Sequence, residues 1–140
     1  MAKTLEARAT GESFPKAGEL VDVLEVSALT LQDRQLLNEL LRHAHEDIDK
    51  AEHCIHKSAL KSIDKSLARL EASVSRLVST QLRMNVTRDG ETYSRTMSFL
   101  TTVDNAARED GHIYYKLNSD VVTVIKDSNV FARIRRDVMF

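Results

Sequence analysis

Between Ser58 and Val86 the apolar spacing of this chain switches from the period of a helix to that of a strand, and few small folds accommodate that switch. In a helix each residue advances about 100°, so with Lys61 as origin Lys65, Arg69 and Arg76 fall within about 80° of it. Ile63, Leu67, Leu70, Val74 and Leu77 gather on the opposite side, between about 160° and 260°. After Gln81 the pattern changes: Leu82, Met84 and Val86 alternate with Arg83 and Asn85. Arg88-Asp89-Gly90-Glu91 supplies a turn with Asp-Gly at its centre, and Thr92 to Thr101, rich in Thr, Tyr, Met and Phe, suits a returning strand. Asp64 offers a cap for a helix starting at Lys65, so the helical stretch reads as two helices with a turn near Ile63-Asp64. The second is expected from about Lys65 to Gln81, directly ahead of a hairpin.

The rest of the chain fits around this unit. Met1 to Lys16 holds no periodic apolar positions and includes Gly11 and Pro15, the sole proline, so residues 1–16 are expected as a mobile tail and 17–140 as one folded domain. The run Leu20 to Val26 suits either a strand or a helical turn. Thr30 can cap a helix whose first turn holds Asp33, with Leu36, Leu37, Leu40, Leu41 and Ala44 on its inner face to about His45. Glu46 to Glu52 reads as a loop, His53 to His56 as a short strand, and His112 to Leu117 as another after a loop with Glu109-Asp110-Gly111. Asn118 or Ser119 caps a final helix carrying Val121, Val122, Val124 and Ile125, after which the chain reaches Phe131, Ile134 and Val138.

Net charge is -1, which gives no general affinity for polyanions, but the distribution is uneven. Lys57 to Arg95 holds eight basic residues against four acids, so that segment carries +4 and the remainder -5. A single cysteine, Cys54, excludes an internal disulfide and fits a reducing compartment. The first fifteen residues lack the apolar core of a signal peptide, and no run approaches the roughly eighteen apolar residues of a membrane span. A cytoplasmic, non-membrane protein is expected.

His43, His45, His53, Cys54 and His56 are metal ligands by residue type, but their spacing is not that of a zinc finger or ribbon, and in a strand His53 and Cys54 point to opposite faces. No metal and no cofactor is expected. A Gly-rich phosphate loop, a nucleophile elbow and paired metal carboxylates are all missing, so enzyme is the weakest class.

Helices followed by a hairpin, the last helix basic on its outer face, form the pattern of an α+β winged helix. Basic residues at that spacing neutralise backbone phosphates without reading bases, and the outer face otherwise offers mainly Ser62, Ser66 and Ser73. A solvated basic face explains the same pattern, and Arg76 can instead meet the negative helix C-terminus.

Glu19-Leu20-Val21, Leu29-Thr30-Leu31, Ser58-Ala59-Leu60 through Leu70-Glu71-Ala72-Ser73-Val74, Asp110-Gly111-His112-Ile113-Tyr114-Tyr115 and Asp127 to Ala132, in this order, resemble the N-terminal winged-helix domain (WH1) of iteron-type plasmid replication initiator (Rep) proteins. The match runs from about Gly18 to Phe140. The resemblance implies a domain that binds double-stranded DNA at origin repeats and forms homodimers, within an initiator carrying a second winged-helix domain that this chain lacks. Since the chain stops at Phe140 after an apolar helical stretch, a truncated or reduced product is expected.

By that analogy Lys61, Lys65, Arg69 and Arg76 touch phosphates, with Arg88 at the hairpin tip as a wing contact. For dimerisation, Tyr93, Phe99, Tyr114 and Tyr115 fall near a sheet edge, although core positions account for them equally well. A free-standing winged-helix transcription regulator is the alternative, and a plain protein-interaction domain comes third.

Overall fold

The computed structural model describes residues 12–13, 21–26, 28–63, 67–108 and 110–139. Most of the expected tail lies outside these, as do Asp64, Lys65 and Ser66. Two tail residues, Glu12–Ser13 (β1), instead pair antiparallel with Arg88 and Thr87, whose backbone groups offer ladder partners there.

Helix α1 (Leu31–His45) starts where a complete capping box begins. The Asp33 amide donates to Thr30 Oγ1 at 3.1 Å, and the Thr30 amide donates to Asp33 Oδ2 at 3.0 Å. Its inner stripe of Leu36, Leu37, Leu40, Leu41 and Ala44 is fully buried. The open choice at Leu20 to Val26 resolves as a strand, β2 (Val21–Glu25), antiparallel to β4 (Thr80–Arg88).

After strand β3 (His53–His56) a 3-10 helix (Lys57–Leu60) and a turn through Ile63 lead to α2 (Leu67–Val78). This helix ends three residues before Gln81, because hydroxyls take over its last carbonyls: Ser79 Oγ donates to Ser75 O at 3.3 Å and Thr80 Oγ1 to Arg76 O at 3.1 Å. Strand β4 therefore begins at Thr80.

β4 and β5 (Glu91–Ser98) form the hairpin, with Arg88 opposite Glu91. Asp89 and Gly90 have φ of 52° and 81°, the two left-handed residues of a type I′ turn. Thr80, Leu82, Met84 and Val86 point inward, as the alternation requires.

The returning strand stops short of Thr101. Phe99, 0 % exposed, is a corner: its amide donates to Thr80 O, its carbonyl accepts from the Asn118 amide at 2.9 Å, and the chain crosses into a second sheet. There β6 (Leu100–Asn105), where a loop was expected beyond Thr101, pairs with β7 (His112–Leu117), which also pairs with β3. The final helical region divides into α3 (Ser119–Ile125), capped by Asn118, and α4 (Ser128–Met139). Asp127 Oδ1 accepts from the Asn129 and Val130 amides and so restarts the chain as α4. One hydrophobic cluster, mostly aliphatic but including Phe99, Tyr115 and Phe131, spans both sheets and the helices. Among the described residues no helix is long and apolar enough to cross a membrane.

Candidate nucleic-acid interface

The amphipathic pattern of α2 survives in three dimensions. Leu70 and Leu77 are buried, while Arg69, Glu71, Ala72 and Ser75 are exposed. Because the helix starts after residue 63, Lys61 is not on its wheel at all; it sits in the turn that precedes it. Folding nevertheless brings Lys61 alongside. An open recess of about 680 Å³ is lined by Lys61, Ser62 and Ile63 from the turn, Arg69, Ala72, Ser73 and Arg76 from α2, and Thr30, Gln32 and Asp33 from the start of α1. Three of the five expected phosphate contacts thus share one site. Lys65 lies outside the described residues.

The floor of the recess is not basic. Asp33 is 0 % exposed and takes a hydrogen bond from the Ser73 hydroxyl, one from Arg76 Nε at 2.5 Å and one from Arg76 Nη2 at 2.9 Å. Burial alone would raise the Asp33 carboxyl, but the Arg76, Ser73 and Thr30 hydrogen bonds outweigh it and hold the pKa at about 2 against an ordinary 3.8. Ser73, expected on the outer face, is therefore buried at 3 % exposure with its hydroxyl turned inward. The sequence marks Thr30 and Asp33 as capping residues; nothing in their spacing signals that Asp33 also meets α2, forty residues on, and Gln32 carries no signal of any kind.

Arg88 belongs to a different place. It is exposed beside the hairpin turn, its guanidinium 6.0 Å from the Tyr93 ring centre. The recess and the hairpin tip are separate places, and at the tip Arg88 stands beside two acids, Asp89 and Glu91.

Of the residues expected at a dimer contact, Phe99 and Tyr115 are both 0 % exposed and cannot face a second chain. Phe99 is the corner between sheets, and the Tyr115 hydroxyl donates to Leu40 O at 2.6 Å inside the core. Tyr114 is 44 % exposed but sits on β7, the central strand of its sheet, between Cys54 and Asp104. Only Tyr93, 46 % exposed on β5, lies on a strand whose second edge is unpaired among the described residues.

The histidines disperse. His43 Nε2 donates to Cys54 O at 3.0 Å, His45 stacks on Phe131 with ring centres 4.1 Å apart, His56 caps the 3-10 helix and meets His112 edge-on, and His53 is buried against Tyr115. Among the described residues no three potential ligands converge.

A helix, a short strand, a helical turn, a second helix and a hairpin, with a partly basic recess beside the second helix, define a winged-helix domain. The fold is shared with solved structures, among them the following two. One is domains 2 and 3 of RctB, matched with a TM-score of 0.54 and 12 % identity over 92 % of this chain and 55 % of that one. The other is the WH1 domain of MSBI1.176, a replication protein isolated from a multiple sclerosis patient, matched with a TM-score of 0.55 and 13 % identity over 80 % of this chain and 86 % of that one. The chain spans about half the length of the RctB structure. No family model and no curated protein sequence matches it.

Proposed function

We propose that this chain is a DNA-binding and dimerisation domain of a plasmid replication initiator, acting in initiation and control of replication at a repeat-containing origin. The observation that carries the DNA reading is the recess beside α2, where Lys61 and Arg69, both exposed, converge from separate elements in a fold shared with the WH1 domain of a replication protein. Lys61 and Arg69 are assigned to backbone phosphates, with Arg88 as the wing contact. Such contacts set orientation and supply affinity without reading sequence. The Lys61→Ala, Arg69→Ala double variant tests this: its affinity is expected to fall at least tenfold, and to the same degree, for two duplexes of unrelated sequence at low salt. Wild-type affinity in that variant contradicts the assignment.

Self-association is assigned to the open edge of β5. The strand carries Glu91, Thr92, Tyr93, Ser94, Arg95 and Thr96 with no proline, glycine or lysine to block pairing. Antiparallel pairing with a second copy about Tyr93 sets the two tyrosines side by side and Glu91 level with the other copy's Arg95, whose guanidinium already lies 4.0 Å from Asp120 of its own chain. Light scattering at high concentration is expected to give a dimer for the wild type and for Tyr114→Lys, and a monomer for Tyr93→Lys. A monomeric wild type, or a dimeric Tyr93→Lys variant, removes the edge from the account.

A further inference from the structure

Resting on the DNA-backbone reading above, we infer that Arg76 makes no phosphate contact and that Asp33 and Arg76 are positioning residues, clamping α2 so that Lys61 and Arg69 carry the recess's contribution to DNA binding. The planar guanidinium of Arg76 meets both oxygens of the Asp33 carboxylate, the bidentate arrangement that matches the two groups best. The carboxylate is fully enclosed, and its remaining capacity is filled by the Ser73 hydroxyl and the Thr30 amide. A phosphate that drew Arg76 outward would strand a buried negative charge, a far larger loss than one exposed phosphate contact returns.

The position of Asp33 gives the clamp its effect. The same carboxylate closes the capping box of α1 and grips α2 at Ser73 and Arg76, residues three apart on one face. The rotation of α2 about its axis is thereby tied to the first turn of α1. Arg69, seven residues before Arg76 and so on nearly the same side of the helix, is exposed at the rim of the recess. Asp33 and Arg76 offset one another on the floor, so the pair itself adds little net charge to the recess.

Two measurements decide this. The first is the slope of log affinity against log salt for a duplex, in which each lost phosphate contact removes about 0.9. Lys61→Gln and Arg69→Gln are each expected to flatten the slope by about that amount. The Asp33→Asn, Arg76→Gln double variant replaces the ion pair by two amides that can still hydrogen-bond. It is expected to keep the wild-type slope, since Lys61 and Arg69 still make their contacts, while its affinity falls about fivefold and its Tm falls; wild-type affinity in this variant removes the positioning role. A slope flattened by about 0.9 in that double variant makes Arg76 a phosphate contact and overturns the inference.

The second measurement needs no DNA. The Arg76 Nε–H resonance is expected to exchange slowly with water and to stay in place when duplex is added. Rapid exchange in the free protein overturns the clamp whatever the DNA result. If the Lys61 and Arg69 variants leave the slope unchanged, the backbone reading fails instead, and the two failures are separately visible.

Discussion

Single residues divide sharply between core and surface, and two aromatic pairs make the division testable. Phe99 and Tyr115 are enclosed, whereas Tyr93 and Tyr114 are nearly half exposed. Phe99→Ala is expected to cost about 3–5 kcal/mol, the usual cost of emptying a buried aromatic site. Tyr93→Ala should leave the unfolding midpoint of the monomer, in denaturant, almost unmoved. A second residue-scale prediction concerns acid. Burial, together with the nearby His43 and Lys50 charges, holds the His53 pKa below its ordinary 6.5, and the ring's Nε2 has no hydrogen-bond partner among the described residues. The folded state thus binds fewer protons than the unfolded one, so stability is complete above about pH 6.5 and declines as pH falls below it. Asp33 adds a further loss between about pH 4 and 2. Thermal melts across pH 7.5 to 5 should show the decline, and His53→Phe should flatten it; an equal decline in that variant assigns the effect elsewhere. At this scale the sequence was half legible. Thr30 and Asp33 declare themselves as caps because capping is local, but the burial of Ser73 and the pairing of Arg76 depend on where α1 lies, which no spacing within α2 encodes.

At the scale of elements, what is periodic and local could be read. The Thr30 start of α1, the strand at His53–His56 and the β4–β5 hairpin stand where pattern and turn chemistry put them. The hairpin turn is the most demanding point, since Asp89 and Gly90 both adopt positive φ. Gly90 faces open space, so Gly90→Ala tests backbone strain alone. It should cost about 1 kcal/mol, or about 3 °C in Tm for a domain of this size; an unchanged Tm contradicts the I′ geometry. Three boundaries were illegible, each for a physical reason. Hydroxyls of Ser79 and Thr80 end α2 early, the buried Phe99 turns one apparent strand into two, and Asp127 restarts a helix in what reads as a single terminal run. In each case a side-chain bond to backbone, or a buried corner, overrides a smooth hydrophobic pattern.

The whole molecule rests on pairings remote in sequence. Strand β2 joins β4 across some sixty residues, β3 joins β7 across a similar span, and the recess unites the start of α1 with the turn at Lys61 and with α2. Local propensity supplies the pieces of a winged helix; the order of strands in two sheets, and hence the convergence of Lys61 with Arg69, is set by which apolar faces can be buried together. The proposed DNA contact rests on that convergence, and mapping a bound duplex onto the protein by amide chemical shifts tests it most directly. Perturbations are expected at Lys61, Ser62, Arg69 and Ala72, with a second set at Arg88 to Glu91, and silence at Cys54, His112 and Tyr114 on the exposed face of the second sheet. Perturbations confined to that face, with α2 and the hairpin tip unmoved, would contradict the proposed contact.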